Sequence, residues 1–200
     1  MRQSVYIPIV FVFIAVFQLV LYGTDNQGDM YDTSALSIIT YAFAHASWVH
    51  VIGNACTLVY VGVEIEVVDG LRVLPVWLLS VIIGALTHKW AYGDDVYLVG
   101  GSAGVYGIIA SHYADVILNY SDMPDWYWVT LRYVAASIPP IAHYLLEEEG
   151  ISHAAHLGGA LGGLIGGFIF FINFHATNRT RALQVILPAC ICIPLIILAL

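Results

Sequence analysis

The sequence predicts an all-α polytopic membrane helix bundle, and two features of its composition and hydropathy predict this fold class. Of the 200 residues, 60% are hydrophobic and only 10% are charged, whereas a soluble domain carries about 25% charged residues. Long apolar stretches recur along the whole chain, and a helix that crosses a bilayer needs about 20 such residues. The formal net charge of −8 also argues against nucleic acid as a partner.

Seven apolar stretches are predicted as spanning helices of one membrane domain over residues 1–200. Six form the bundle, whose core covers about residues 40–174, and the seventh is an extra C-terminal helix at about residues 183–200. The predicted spans are Val5–Leu21, Val51–Val68, Leu74–Trp90, Ala103–Leu118, Trp126–Leu145, Ala155–Phe174 and Leu183–Leu200. The first span is bulky throughout and lacks a small-x-small cleavage site, so we expect a retained helix rather than a signal peptide.

The connections between the spans are predicted to lie at the membrane surface. The first one contains three aspartates and then the apolar run Ala35–Ala44, which is too short to cross and is predicted as a re-entrant or interfacial segment. Trp126–Trp128 is typical of an interfacial aromatic belt, and Glu147–Glu149 of a solvated loop. The three cysteines lie in apolar segments and predict no disulfide framework; they are Cys56, Cys190 and Cys192.

Basic residues predict the orientation of the bundle, because cytoplasmic loops carry an excess of lysine and arginine. A cytoplasmic N-terminus places four of the six basic residues inside, namely Arg2, Arg72, Arg179 and Arg181. Lys89 and Arg132 do not follow the rule. In this orientation the heads of the fourth and sixth spans both face the outer or lumenal side.

A glycine-rich stretch at the head of the fourth span is the first candidate site. It reads Val99-Gly100-Gly101-Ser102-Ala103-Gly104-Val105-Tyr106-Gly107 and follows an acidic loop with Asp94 and Asp95. The Gly-x-Ser-x-Gly pattern is best known from the strand–turn–helix elbow of α/β-hydrolases, but the apolar surroundings exclude that fold. A hydroxyl at a helix start is usually an N-cap, so Ser102 has two interpretations, a cap or a nucleophile.

A second polar site, around His156 at the head of the sixth span, favours the interpretation of Ser102 as a nucleophile. Small residues at every fourth position let membrane helices approach closely. One such row, Gly159, Gly163 and Gly167, lies on the face of His156, a second row is Gly158, Gly162 and Gly166, and the fourth span carries Ala103, Gly107 and Ser111. Pairing of the two spans would make Ser102 and His156 neighbours; the alternative is a packing motif without chemistry.

A neighbouring hydroxyl and imidazole can cleave an amide. His156 would take the proton of Ser102, and since no aspartate follows that would orient His156, a dyad is predicted. The oxyanion needs fixed donors, which His50, Asn54 and the Ser102 amide offer, the first two from one helix face. An interhelical hydrogen bond is the alternative for Asn54. Tyr106, one turn below Ser102, can pack on the imidazole or simply belong to the core.

Other polar groups suggest alternatives. A metal site is one alternative, since His45 lies near His50 in the sequence and His153 near His156. A His-Glu-x-x-His helix is absent, so no metal and no cofactor are predicted. His112 and Asp115 inside the fourth span form a structural pair, or else a proton relay of a transporter or channel. Glu66, at the inner end of the second span, is expected to cap or pair with a loop.

Four segments resemble, in the same order, the signatures of the rhomboid intramembrane serine proteases. They are His45–Asn54, Gly62–Glu66, Val99–Tyr106 and Ala155–Gly163, within a match from about Thr40 to Phe174. The run Ala114–Tyr120 and the extra seventh helix further resemble the animal secretory-pathway branch of the family.

The resemblance implies a role for each candidate residue. Ser102 would be the nucleophile and His156 the general base, with the oxyanion hole formed by His50, Asn54 and the Ser102 amide. Tyr106 would stack on His156. Close approach would be permitted by Gly100, Gly104, Gly159 and Gly163, and structural support would come from His45 and Glu66.

The function implied is an intramembrane serine endopeptidase acting on single-span transmembrane proteins within the lipid bilayer. The expected location is the secretory pathway or plasma membrane, with the active site on the lumenal or extracellular side. Because a helix hides its amide bonds, substrates with small or helix-destabilising residues near their outer end are expected. The alternative is a catalytically silent protein of the same fold that binds transmembrane clients. No pattern in the sequence specifies an oligomeric state.

Overall fold

The computed structural model describes residues 8–25, 36–93, 96–119, 126–145 and 150–171, and in these ranges it contains helices and no strands. The all-α prediction is therefore confirmed for this part of the chain. The helices are α1 (Val10–Gly23), α2 (Ser37–Thr40), α3 (Trp48–Asp69), α4 (Val73–Tyr92), α5 (Ser102–Asn119), α6 (Trp126–Leu145) and α7 (His153–Phe170). Two 3₁₀ turns, Tyr41–Phe43 and Gly70–Arg72, precede α3 and α4.

Several predicted features lie outside the described residues. These are the seventh span Leu183–Leu200, the terminal arginines Arg2, Arg179 and Arg181, the acidic residues Asp29, Asp32, Asp94, Asp95 and Glu147–Glu149, and the cysteines Cys190 and Cys192.

The first predicted span begins later than expected. The prediction placed its start at Val5, but Pro8 and Ile9 are not helical and α1 begins at Val10. The Glu66 carboxylate of α3 accepts hydrogen bonds from the backbone N–H groups of Ile9, Val10 and Phe11 at 2.7, 2.8 and 3.1 Å. These groups have no acceptor inside α1, so Glu66 satisfies them and fixes where the helix starts.

The last described helix ends earlier than expected. The prediction extended the sixth span to Phe174, but α7 ends at Phe170 and Phe171 has an extended backbone, with φ −72° and ψ 152°. The other four helices that correspond to predicted spans have bounds within three residues of the predicted ones.

The short apolar run before α3 lies against the inside of the bundle. It forms α2 and a 3₁₀ turn, and Tyr41, Ala42 and Ala44 are buried. The Tyr41 hydroxyl donates to the Val81 carbonyl of α4 at 2.8 Å, and Gln18 of α1 donates to the Ala42 carbonyl at 2.9 Å. This segment therefore connects α1 with α4.

Glycines let α7 contact two helices at once. α7 packs most extensively against α4 and α5. A Cβ atom at Gly159 would meet the backbone of Ala103, and one at Gly163 the backbone of Gly107. Gly159 and Gly163 belong to the row of α7, and Ala103 and Gly107 to the row of α5, whose spacing predicts that the two helices pair. The glycines of α7 allow this contact between backbones because they have no side chain.

The second row of glycines in α7 faces α4. Cβ atoms at Gly158, Gly162 and Gly166 would meet Thr87, Ser80 and Val76 respectively. Since these α4 residues are themselves about one or two turns apart, the two helices run side by side along most of α7.

Two helical stretches in the described part of the chain have the length and apolar composition to cross a membrane. They are Trp48–Tyr92, which comprises α3, α4 and the turn between them, and His153–Phe170, which is α7.

We predict that Gly163→Ala lowers the thermal stability of the protein in detergent. The added methyl would meet the Gly107 backbone, and overpacking of this kind costs about 1–3 kcal/mol. Gly53→Ala in α3 is the matched control, because a Cβ there meets nothing within 4 Å and alanine is the better helix former. An equal melting temperature for Gly163→Ala and the unaltered protein would contradict the close packing of α5 and α7.

Candidate active site

One end of the bundle brings together the ends of four helices. α5 and α7 begin there, because Ser102 and His156, in their first turns, are in contact. α3 also begins there, since the His50 ring lies against Gly100, just before α5. α4 ends there, because His88 contacts Ser152, the residue before α7. Polar side chains from the first turns of α3, α5 and α7 thus lie at the same end of the bundle.

Ser102 and His156 form a hydrogen bond between α5 and α7. The serine Oγ lies 2.8 Å from the imidazole Nε2, and both side chains are half-buried. Because the serine hydroxyl is engaged by the imidazole, it does not act as a simple helix cap. A hydroxyl within hydrogen-bond reach of an imidazole is the arrangement that nucleophilic catalysis needs.

Tyr106 holds the imidazole from one side. Its ring stacks on that of His156, with ring centres 4.1 Å apart and planes inclined by 17°. Tyr106 lies one turn after Ser102 on the same helix face. The stacking restricts the rotation of the imidazole and leaves its Nε2 pointing at Ser102.

His50 and Asn54 lie beside the loop that leads to the serine. A Cβ atom at Gly100 would approach the His50 ring at 2.6 Å and the Asn54 amide nitrogen at 3.5 Å. Gly100 also has φ +110°, a conformation that favours glycine. The Asn54 Nδ2 is buried and has no hydrogen-bond partner among the described residues, so the alternative role of Asn54, an interhelical hydrogen bond, is not formed through this nitrogen within them.

The backbone before Ser102 is held by two hydrogen bonds. Gly100 N–H donates to the Tyr41 carbonyl at 3.0 Å, and Gly101 N–H donates to the His45 Nε2 at 3.4 Å. The Gly101 carbonyl accepts from Val105, so the Ser102 N–H is the first without an acceptor inside the helix.

The site opens into a cavity of about 780 Å³. Its lining includes the candidate nucleophile, base and oxyanion donors together with Tyr106, namely Ser102, His156, His50, Asn54 and Tyr106. The cavity is therefore large enough to admit a peptide segment, and the candidate nucleophile, base and oxyanion donors line the same space.

His45 and Glu66, which are predicted to give structural support, do not line the cavity. His45 is buried, and its Nδ1 lies 3.3 Å from the Phe43 carbonyl, so the ring joins that turn to Gly101. Glu66 caps α1 near the opposite end of α3. A Cβ at Gly104 would meet the Trp77 ring of α4, which places this glycine in helix packing as well.

His112 and Asp115, the pair considered as a proton relay, contact other side chains of the helix core. His112 stacks on Tyr133 of α6 with ring centres 3.8 Å apart, and Asp115 accepts a hydrogen bond from Asn119 at 2.7 Å. Both are buried in the core. Among the described residues, no three histidine, cysteine, aspartate or glutamate side chains are grouped so that they could hold a metal ion.

Sequence reasoning missed two residues of this region, His88 and Tyr41. His88 bonds to Ser152 Oγ and to the Val96 carbonyl, and Tyr41 links Gly100 to α4. A histidine within an apolar predicted span is a signal that could have found His88, because ionisable residues in such segments are usually functional. Tyr41 has no such signal, since its role depends on a distant carbonyl.

Comparison with known proteins identifies the family of this chain. Residues 32–173 match the Rhomboid domain family. The chain belongs to the rhomboid family. This rhomboid protein is 36% identical over 141 residues to Rhomboid-related protein 1 of Caenorhabditis elegans, covering 67% of this chain and 39% of that protein.

Other rhomboid relatives cover a similar region. Rhomboid-related protein 2 of Mus musculus is 30% identical over 153 residues, 72% of this chain and 50% of that protein. Inactive rhomboid-related protein 2 of Caenorhabditis elegans is 27% identical over 150 residues, 72% of this chain and 42% of that protein. The match thus spans half or less of the length of each of these relatives. Family membership and the two apolar helical stretches indicate a membrane protein.

We predict that His45 makes the stability of this rhomboid protein depend on pH. His45 lies before α3, outside the spanning segments, and burial, together with the nearby His50, lowers its pKa to about 4. An unfolded histidine has a pKa of about 6.5. Between these values the unfolded chain binds more protons, so the contribution is fully present above about pH 6.5 and is lost as the pH falls towards 4.

The comparison of unaltered protein with His45→Gln isolates this effect. Glutamine can still accept from the Gly101 N–H but does not titrate. Thermal unfolding in detergent at pH 7.5 and pH 5 should show a smaller loss in the variant, by about 2 kcal/mol or less. An equal loss in both proteins would contradict the prediction.

Proposed function

We propose that this rhomboid protein is an intramembrane serine endopeptidase that cleaves transmembrane proteins with a Ser102–His156 dyad. The observation that carries the proposal is the 2.8 Å hydrogen bond between Ser102 Oγ and His156 Nε2, in a cavity that His50 and Asn54 also line. The family assignment supports the same class of chemistry.

The first step is attack on the substrate carbonyl. Ser102 Oγ bonds to the carbonyl carbon while His156 Nε2 takes the hydroxyl proton. The electron pair of the C=O double bond moves to the oxygen, which becomes an oxyanion. Donors that already point at this oxygen stabilise it without reorganisation, and the Asn54 amide, the His50 ring and the Ser102 N–H occupy that side of the site.

The second step releases the amine and then the acid. The tetrahedral carbon expels the amine, which takes the proton from His156, and leaves an acyl group on Ser102. Water then attacks this ester, giving a proton to His156, and collapse of the second intermediate returns that proton to Ser102. The cavity that these residues line is the route by which water reaches the ester in an apolar protein.

The substrates proposed are single-span transmembrane proteins in the same bilayer. A helix hides its amides in hydrogen bonds, so a substrate must unwind locally before Ser102 can reach a carbonyl. Small or helix-destabilising residues near the outer end of the substrate helix lower the cost of unwinding. This account needs no metal or cofactor, because His156 takes and returns the proton at each step and the donors of Asn54, His50 and the Ser102 N–H stabilise the oxyanion.

The full architecture proposed is six core spans with a seventh at the C-terminus, within a single domain over residues 1–200. We propose a cytoplasmic N-terminus and an active site on the lumenal or extracellular side of a secretory-pathway or plasma membrane. Arg72 and Lys89 lie at opposite ends of α4, and the site lies at the Lys89 end. The orientation therefore follows from the other basic residues of the sequence rather than from this pair.

A catalytically silent, client-binding protein is the second candidate function. It is favoured by one relative that is named as inactive. The intact Ser102–His156 contact opposes it, since a binding protein does not need a hydroxyl held by an imidazole.

We predict that Ser102→Ala abolishes cleavage of a reporter single-span substrate in liposomes, with turnover falling by about 10⁴-fold or more. Ser111→Ala is the matched control, because Ser111 lies on the same helix and donates only to the Ile108 carbonyl. The control should cleave at a rate close to that of the unaltered protein.

Labelling with a fluorophosphonate separates the two candidate functions. The peptidase should be labelled at Ser102, and Ser102→Ala should not. Folded, unaltered protein that binds the reporter but is neither labelled nor active would overturn the peptidase proposal in favour of the client-binding one.

We predict that Asn54→Ala reduces kcat by about 10²–10³-fold, because loss of one oxyanion donor has an effect of this size. The Asn54 Nδ2 has no partner among the described residues, so its removal should lower the melting temperature little. Cys56→Ala, an exposed position on the same helix, serves as control. A large drop in stability with unchanged kcat would show that Asn54 is structural.

A further inference from the structure

The imidazole of His88 joins more elements around the site than its position in α4 suggests. The side chain is 4% exposed and lines the same cavity as Ser102 and His156. Its Nδ1 lies 2.7 Å from the Ser152 hydroxyl and its Nε2 lies 2.8 Å from the Val96 carbonyl. One contact reaches Ser152, the residue before α7, and the other reaches the loop that leads to α5.

The two partners of His88 determine which of its ring nitrogens donates and which accepts a hydrogen bond. A backbone carbonyl can only accept, so the His88 Nε2 carries the hydrogen, and in the neutral ring Nδ1 then accepts from the Ser152 hydroxyl. The Ser152 Oγ in turn accepts from the Ala155 N–H at 3.2 Å. A continuous chain of hydrogen bonds therefore runs from the first turn of α7, through Ser152 and His88, to Val96.

Ser152 transmits the position of His88 to His156. It is the N-cap of α7, and its carbonyl also accepts from the His156 N–H at 3.1 Å. The turn that carries the imidazole is thus attached to Ser152 through both the side chain and the backbone. Val96, at the other end of the bridge, lies in the short connection that ends at Gly100 and Ser102.

We propose that His88 is a positioning residue, which sets the separation of Ser102 and His156 by tying the connection before α5 to the N-cap of α7. This proposal rests on the proposed peptidase function. His88 acts through Ser152 and Val96 and does not itself take part in bond making.

The test compares His88→Leu with His88→Gln in the reconstituted full chain. Leucine has a similar size but no polar atoms, whereas glutamine keeps one donor and one acceptor. A displacement of about 1 Å at the reacting atoms can cost about 100-fold in rate, so His88→Leu should lose about 10- to 100-fold in kcat with KM almost unchanged. His88→Gln should recover most of that loss.

Thr87→Val is the matched control for packing between α4 and α7. The Thr87 hydroxyl contacts the Ala154 carbonyl of α7 at 2.9 Å, but it reaches neither Ser152 nor Val96. Its replacement should lower the melting temperature and leave kcat close to that of the unaltered protein. His88→Leu with unchanged kcat, or His88→Gln impaired as much as His88→Leu, would overturn the proposal.

A spectroscopic measurement separates this proposal from the peptidase function itself. The ¹⁵N chemical shift of the His156 Nε2 reports its hydrogen bond to Ser102 whether or not the protein cleaves a substrate. His88→Leu should move this signal, and Thr87→Val should not. If the unaltered protein cleaves no substrate, the proposed peptidase function is wrong. If His88→Leu leaves the His156 signal unchanged, the proposed role of His88 is wrong.

Discussion

The backbones of α5 and α7 are in direct contact, and this contact fixes the geometry of the candidate site. A Cβ at Gly159 or Gly163 would meet the main chain of α5, so the two helices are as close as their backbones permit. Packing and interhelical polar contacts, rather than the hydrophobic effect, hold helices together in a membrane. The 2.8 Å contact of Ser102 with His156 exists because their helices can approach to this distance.

The arrangement of polar groups follows from the cost of burying them. Buried polar groups are engaged both far from the site, as the Glu66 carboxylate is with the start of α1, and beside it, as the His45 ring is with Gly101. A buried group without a partner costs about 1–3 kcal/mol. In the described part of the chain, Asn54 Nδ2 is the one such atom whose residue lines the cavity. This unused donor faces the space in which the proposed function places the oxyanion.

Much of the candidate site could be predicted from the sequence because its residues lie on regular helices. The i, i+4 spacing places His50 and Asn54 on one face of α3, and the spacing of three, seven and eleven places three glycines below His156. The cap of α1 was not predicted in detail, because Glu66 and Ile9 are 57 residues apart. The contacts of His88 were not predicted, because its partners Ser152 and Val96 belong to irregular segments whose positions do not follow from helical spacing.

The helical fold class, the rows of small residues and the groups that meet at the site could all be predicted from the order of the amino acids. These follow from local periodicity and composition, which need no knowledge of distant contacts. The contacts between atoms became known from the folded structure. In it, Ser102 bonds to His156 rather than capping its own helix, Glu66 binds the start of α1, and His88 bridges α7 to the loop before α5. Each of these depends on side chains from separate helices reaching one another, and their distances are set by packing rather than by spacing along the chain.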